Sequence, residues 1–153
     1  LPMARLVYEA EVIDGESQAI ARVHEPDFDP ATAAILAEAS PCSLGPAPET
    51  PGQAQIVETR PGYWLIETQS EAPGLLVLAE TAYPGWEVRL DGERAKPLEA
   101  YTVIRGVCVP AGVHQIEWVF DPPILKIGAV LSLLAAIGIG LAAVTIYRHK
   151  RRE

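Results

Sequence analysis

The chain has 153 residues, 49% of them hydrophobic, and a formal net charge of −8 that is unevenly distributed. Residues 1–123 carry 19 acidic and 7 basic residues, a charge of −12, whereas residues 124–153 carry five basic residues and one acidic residue, a charge of +4. An acidic surface repels nucleic-acid phosphates and anionic lipid headgroups, so the composition argues against nucleic-acid binding by the first 123 residues. The alternative explanation of this charge is that it only keeps the protein soluble.

The first residues predict a strand followed by a short helix. The run LVYEAEVI over 6–13 is rich in β-branched and aromatic residues, and Asp14-Gly15 is typical of a turn. Residues 16–23 place Ala19, Ile20 and Val23 at helical spacing, which favours a short helix.

A second short helix and a linker are predicted next. Asp29-Pro30 is typical of an N-cap and a first helical position, so we expect a helix over 31–39. Residues 40–53 are rich in proline and glycine, which indicates a linker of low packing. Residues 1–53 are therefore interpreted as an N-terminal strand and helix segment.

Residues 54–123 are almost all strand-like, with Pro/Gly turns between the strands. Asp91-Gly92 is the strongest hairpin signal in the chain. About seven short strands at this spacing predict a mainly β fold, a β-sandwich of jelly-roll type. The predicted strands are AQIVET (54–59), YWLIETQ (63–69), LLVLAETAY (75–83), WEVRL (86–90), the run over 98–109, and VHQIEWVF (113–120).

The end of the chain predicts a transmembrane helix over 124–147. Residues 127–147 read IGAVLSLLAAIGIGLAAVTIY, without a charged residue, and a helix of 21 residues covers about 30 Å, the thickness of a bilayer's hydrocarbon core. The alternative, a buried helix of a soluble protein, would need a core on every side that the remaining residues do not supply. Basic residues follow at once, so we expect a cytoplasmic tail over 148–153 and residues 1–123 outside the cytoplasm.

Small residues form one stripe along this helix. Gly128, Ser132, Ala136 and Gly140 are spaced at every fourth position. Such a face lets another helix approach closely, so the sequence predicts transmembrane partner helices as well as the lipid bilayer itself. The alternative is an ordinary span without a fixed neighbour.

The start of the chain bears on how it reaches the membrane. Leu1-Pro2-Met3 contains neither an initiator methionine nor the basic and apolar regions of a signal peptide. We expect that a removed signal or earlier transmembrane segments precede it.

No constellation for catalysis, metal or cofactor binding is recognised in the sequence. His24, His114 and His149 are not paired at metal-ligand spacing, and there is no nucleophile elbow, phosphate loop or C-x-x-C motif. Asp27 and Asp29 resemble an acid/base pair, but Asp29 is interpreted as a helix cap. We therefore predict that this chain is not an enzyme by itself and holds no cofactor.

Cys42 and Cys108 are the two cysteines, and both are expected on the oxidising side of the membrane. A disulfide between them would close a long loop and contribute on the order of 3–4 kcal/mol. Alternatively, Cys108 between Val107 and Val109 is a small buried apolar residue. The sequence is compatible with both the disulfide and the buried cysteine.

One candidate ligand or partner surface comprises Tyr83, Trp86 and Arg105. In Tyr83-Pro84-Gly85-Trp86, proline presets φ and glycine permits a left-handed turn, which predicts a structural corner. The aromatic residues either pack in the core or stack on a sugar. Arg105 lies in an apolar strand and needs a partner, for which Asp91 or Glu99 would serve; an unpaired Arg105 in a cleft would bind an anion.

Several segments resemble the C-terminal region of the YfhO-like family of large bacterial membrane proteins, which are similar to C-type glycosyltransferases. The segments are LLVLAETAYPGW (75–86), Asp91-Gly92, RGVCVPAGVH (105–114) and WVFDPP (118–123), with weaker likeness over 1–7 and 28–30. Glu80 departs from the family's usual serine and Cys108 from its usual aliphatic residue.

The resemblance implies an extracytoplasmic domain anchored in the bacterial cytoplasmic membrane, with any glycosyltransferase active site outside these residues. Two functions are expected, the first from this resemblance and the second from the small-residue face of the single span. The first is a non-catalytic domain that positions a glycan or a protein partner near the bilayer. The alternative is a single-span accessory or assembly subunit of a larger membrane complex, for example respiratory or photosynthetic.

Overall fold

The computed structural model describes residues 1–39 and 41–151, with the side chains at 142–146 and 148–150 outside that description. Two compact units make up the chain, Leu1–Asp121 and Pro122–Glu153. The first is mainly β, as the sequence predicts. Its elements are β1 (Ala4–Val7), β2 (Glu9–Val12), α1 (Glu16–Val23), β3 (Ala33–Leu36), β4 (Gln53–Arg60), β5 (Tyr63–Ser70), β6 (Gly74–Thr81), β7 (Trp86–Leu90), β8 (Glu93–Ala95), β9 (Leu98–Ala100), β10 (Ile104–Val109) and β11 (Gly112–Phe120).

Over the described residues these strands form two sheets with a core between them. Sheet A has the order β1-β6-β10-β9-β3-β2, and sheet B has the order β4-β5-β11-β7-β8. The core between the sheets contains Leu76 and Leu78 of sheet A and Ile66, Ile116 and Trp118 of sheet B, all at most 1% exposed. Because alternate residues of a strand point to opposite faces, this burial fixes the register of the central strands.

Sheet A also encloses a second core, because its two edges are formed by one continuous segment. β1 pairs with β6 and β2 pairs with β3, at opposite ends of the sheet, although only Tyr8 separates β1 from β2. The predicted strand over 6–13 is therefore two strands, and the sheet curls until its edges meet at this segment. The enclosed cluster comprises Val7, Ala34, Leu36, Leu75, Val77, Leu98 and Ala100.

The predicted helix over 31–39 is wrong, whereas the predicted helix over 16–23 is confirmed. Asp29 closes a single turn, in which its carbonyl accepts hydrogen bonds from the backbone N–H groups of Thr32 and Ala33. The following residues, AAIL, are all buried and form β3 between β2 and β9. An apolar run of four residues can fill a central strand, which helix-terminus signals alone do not reveal.

The predicted boundary near residue 53 does not divide the structure. The strands β1, β2 and β3 are hydrogen-bonded members of the sheet that contains β6, β9 and β10. The N-terminal segment and the predicted sandwich therefore share cores and belong to one unit, because each supplies strands that the other needs.

Turn chemistry explains the remaining differences in the second half. Asp91 and Gly92 have φ of 51° and 85° and join β7 to β8, so the hairpin predicted at this dipeptide is confirmed. The predicted strand over 98–109 is two strands, β9 and β10. Tyr101 and Thr102 have φ of 50° and 67°, and this left-handed backbone reverses the chain between them.

The second unit contains one long helix, α2 (Pro123–Lys150). Its segment Pro123–Leu141 is long and apolar enough to cross a membrane, and none of it is buried inside the protein. Of the stripe of small residues, Gly128 and Gly140 have no atom within 4 Å of an added Cβ. The helix continues through the basic residues at 148–150, and residues 152–153 of the predicted tail lie outside the described range.

Candidate functional site

The three residues of the predicted ligand surface lie on one cleft of about 240 Å³. Tyr83 and Trp86 come from the corner between β6 and β7, and Arg105 comes from β10. Glu99 of β9 and Trp118 of β11 also line this cavity, which is called the corner cleft below. Strands of both sheets therefore contribute to one site.

The corner itself is held in place by backbone hydrogen bonds. Gly85 has a φ of 108°, which L side chains rarely adopt, so the glycine is required at this position. Its carbonyl accepts a hydrogen bond of 2.8 Å from the N–H of Asp121, and the N–H of Ala82 donates to the carbonyl of Val103 at 2.8 Å. These bonds tie the corner to the end of β11 and to the loop before β10.

Arg105 is the charged residue at the base of the corner cleft, and it is 3% exposed. Its guanidinium carbon lies 3.7 Å from the ring centroid of Trp86 and 5.6 Å from that of Trp118. Burial lowers the pKa of Arg105, and the charge of Glu80 opposes that shift. Since the ordinary pKa of arginine is above 12, the side chain stays positively charged.

The partner of Arg105 is Glu80 and not one of the residues that the sequence suggests. Nη2 of Arg105 lies 3.5 Å from Oε2 of Glu80, and Nε donates to the carbonyl of Thr81 at 3.0 Å. The sequence expectation of Asp91 is wrong, because its carboxylate accepts from the N–H of Gln115 at 2.9 Å and binds Nδ1 of His114 at 2.7 Å.

Glu99 was the other expected partner, and it lies opposite Arg105 in the pairing of β9 with β10. A register shift between Ile104 and Arg105 alters the pairing of β10 with β6. Strand alternation gives no signal for such a bulge, so the pairing with Glu80 was not predictable from spacing.

Two buried donors in the walls of the corner cleft have no hydrogen-bond partner among the described residues. They are Nη1 of Arg105 and Nε1 of Trp118, and Trp118 is only 1% exposed. A buried donor without an acceptor costs about 1–3 kcal/mol, so each of these two groups would gain from an acceptor on a ligand. Trp118 is not among the site residues that the sequence predicts.

The aromatic rings around the corner cleft differ in what they offer to a ligand. Tyr83 is 64% exposed, whereas Trp86 is half-buried and its face is covered by the Arg105 guanidinium. Phe120 packs between them, with ring centroids 6.5 Å from Tyr83 and 5.2 Å from Trp86. The open aromatic face is therefore that of Tyr83, and Trp86 covers the buried cation.

Cys42 and Cys108 form a disulfide in the structure, with Cα atoms 5.6 Å apart and 66 residues apart in sequence. Both side chains pack on the enclosed core of sheet A. Cys108 belongs to the strand that carries Arg105, so the crosslink ties the proline-rich segment after β3 to the strand of the corner cleft.

The other titratable side chains that the sequence singles out have structural roles. Asp27 binds Arg22 at 2.9 Å, and Oδ1 of Asp29 accepts from the N–H of Ala31 at 2.9 Å. His114 is hydrogen-bonded to the Asp91 carboxylate, which raises the pKa of the imidazole. Within residues 1–39 and 41–151, no group of three or more His, Cys, Asp or Glu side chains is arranged to hold a metal ion.

Comparison of this chain with known proteins gives no match to a family model, to a curated protein or to a solved structure. The resemblance to the YfhO-like family therefore gains no support from these comparisons. The geometry of the corner cleft is the basis on which a function can be proposed.

Proposed function

We propose that this chain is a membrane-anchored β-domain whose corner cleft binds a glycan without catalysing a reaction on it. The observation that carries the proposal is the pair of unpartnered buried donors, Nη1 of Arg105 and Nε1 of Trp118, beside the exposed ring of Tyr83. A sugar offers what these groups need, because it has oxygen acceptors along its edge and an apolar C–H face that packs on an aromatic ring.

Glu99 adds a hydrogen-bond acceptor to these two donors and the aromatic ring. Glu99 is exposed and lines the same cavity, and its carboxylate can accept hydrogen bonds from hydroxyl groups. Residues that carry donors, an acceptor and an aromatic face thus line one cavity of about 240 Å³. None of these residues forms a nucleophile with a base, so the proposed role is binding and positioning.

The bilayer enters the proposal through α2. The apolar segment Pro123–Leu141 is the proposed anchor, with the basic residues after it in the cytoplasm and the β-domain outside. A glycan bound to the anchored domain would then be presented outside the cytoplasm, as in a glycosyltransferase-like membrane protein.

The test is glycan binding by the full chain in lipid nanodiscs. A panel of oligosaccharides is titrated against the wild type, Tyr83→Ala and the matched control Tyr63→Ala, a partly exposed tyrosine of β5 outside the cleft. We expect Tyr83→Ala to weaken binding about tenfold, because it removes the stacking face, and Tyr63→Ala to bind as the wild type. Absence of binding at millimolar sugar, or equal losses in both variants, would overturn the proposal.

A second candidate function is that of an assembly subunit bound through α2. It is favoured by the stripe of small residues Gly128, Ser132, Ala136 and Gly140, a face that another helix can approach closely. Gly140→Leu should then release the proteins that co-purify with the chain from native membranes. Gly138→Leu is the matched control on another side of the helix, and equal co-purification of both variants would argue against this function.

A further inference from the structure

Resting on the proposed function, we infer that the corner cleft takes an uncharged sugar unit and excludes anionic sugars. In this proposal Nη1 of Arg105 and Nε1 of Trp118 donate to oxygen atoms of the sugar, and the ring of Trp86 moves to admit them. The charges around the cleft support the preference for an uncharged sugar. The space beside Trp86 supports the movement of its ring.

The charges around the corner cleft favour a neutral ligand. The guanidinium of Arg105 already has the Glu80 carboxylate within 3.5 Å of it. Glu99 lines the cleft from the exposed side. A carboxylate or phosphate on the ligand would be repelled by Glu99, whereas a hydroxyl group can donate to Glu99 and also accept from Arg105. The net charge of −12 over residues 1–123 acts in the same direction.

Access to the two donors depends on Trp86. Both nitrogen atoms are buried, and the Trp86 ring lies 3.7 Å from the Arg105 guanidinium. Trp86 and Pro97 also line a second cavity of about 140 Å³. These two residues thus form a wall common to both cavities, and the second cavity is the space into which the indole would turn. A sugar oxygen would take the place that the ring leaves beside Arg105.

The first measurement follows the indole N–H signals of the full chain, labelled with ¹⁵N in nanodiscs. The chain has three tryptophans, Trp64, Trp86 and Trp118, and Trp64 does not line the cleft. A neutral oligosaccharide should shift the Trp118 signal most, because its N–H gains an acceptor, and the Trp86 signal next. Trp64 should shift least. An oligosaccharide of the same length that carries hexuronates should bind at least tenfold more weakly.

The second measurement changes the charge of the cleft. Glu99→Gln should raise the affinity for the hexuronate oligosaccharide about tenfold relative to the affinity for the neutral one. Glu67→Gln is the matched control, because Glu67 is an exposed carboxylate of β5 outside the cleft, and it should leave that ratio unchanged.

The outcomes separate this inference from the proposed function. Sugar binding without a Trp118 shift, or with equal affinity for neutral and anionic sugars, overturns the inference and leaves glycan binding standing. Absence of binding to any sugar overturns both. The inference is supported if the neutral sugar binds more tightly than the anionic one, if the Trp118 signal shifts, and if Glu99→Gln reduces the preference for the neutral sugar.

Discussion

Arg22 and Arg105 of the β-domain both stack on aromatic rings, yet their surroundings differ in one respect that bears on function. Arg22 of α1 lies over Phe28 at 5.3 Å, and its guanidinium binds Glu11, Glu25 and Asp27 at 2.7–2.9 Å. Arg105 of the corner cleft lies over Trp86 at 3.7 Å, and its Nη1 has no acceptor among the described residues.

This difference distinguishes an arginine that stabilises the fold from one that is available to a ligand. The partly exposed Arg22 has three carboxylates around it and leaves little for another molecule to bind. The buried Arg105 has a single carboxylate at 3.5 Å and lies at a cavity that also contains an unpartnered indole N–H. Ion pairs at an exposed site contribute little stability each, whereas a buried donor without an acceptor is costly.

The largest expected effect comes from the disulfide that joins these two regions. Cys42 follows β3, which packs on the α1 side, and Cys108 lies in the strand of Arg105. Replacing both cysteines by alanine should lower the free energy of unfolding by about 4 kcal/mol, because the crosslink closes a loop with a separation of 66 residues. Urea unfolding of the full chain measures this loss. If the α1 side kept its stability while the cleft lost its own, the two regions would not belong to one cooperative unit.

Removing each arginine compares the two regions directly. Arg105→Ala should cost about 3 kcal/mol, because it leaves a cavity beneath Trp86 and frees the carbonyl of Thr81. Arg22→Ala should cost less, since the carboxylates it leaves are exposed to water. Equal losses of unfolding free energy in the two variants would show that the burial of an arginine does not set its contribution to stability.

A smaller effect is expected from the hydroxyl of Tyr101, which packs edge-on against Phe28 near Arg22. This hydroxyl donates to the carbonyl of Ala33 at 2.5 Å and accepts from Nη2 of Arg5 at 3.2 Å. Tyr101→Phe should cost about 1.5 kcal/mol, because the buried carbonyl loses its donor. Tyr63→Phe is the control, and a loss in the control as large as in Tyr101→Phe would count against this assignment.

The smallest expected effect is in the acid dependence of stability on the Arg22 side. Arg22 lowers the pKa values of Glu11 and Asp27 in the folded chain. Carboxylates with lowered pKa values stabilise the fold above their unfolded values near pH 4, and this contribution is lost as the pH falls through the folded values. Arg22→Met should therefore flatten the loss of stability below about pH 4, measured by urea unfolding at each pH. Arg89→Met, an exposed arginine of β7, should keep the wild-type slope.

The sequence predicts those parts of the fold that depend on local chemistry. The turn at Asp91-Gly92, the strand-rich second half and the apolar helix each follow from nearby residues. The helix over 31–39 was wrong because Asp29 closes only one turn before a run that fills a central strand. The pairing of β1 and β2 with opposite sheet edges depends on contacts distant in sequence, which periodicity cannot supply.

Three residues of the candidate site were predictable from the sequence, but their roles were not. Tyr83, Trp86 and Arg105 were chosen from residue type, and the fold places them on one cleft. The pairing of Arg105 with Glu80 depends on a register shift in β10. The N–H of Trp118 has no partner because the fold brings no acceptor among the described residues within hydrogen-bond distance of it. Neither leaves a local pattern in the sequence.

The central claim, that Arg105 and not Arg22 is available to a ligand, is tested most directly by calorimetric titration of a neutral oligosaccharide. The wild type, Arg105→Lys and Arg22→Lys are compared in nanodiscs, with urea unfolding to show that each is folded. Lysine keeps the charge but lacks the guanidinium donors of the cleft. We expect Arg105→Lys to bind at least tenfold more weakly and Arg22→Lys to bind as the wild type. Equal affinities for all three chains would contradict the claim.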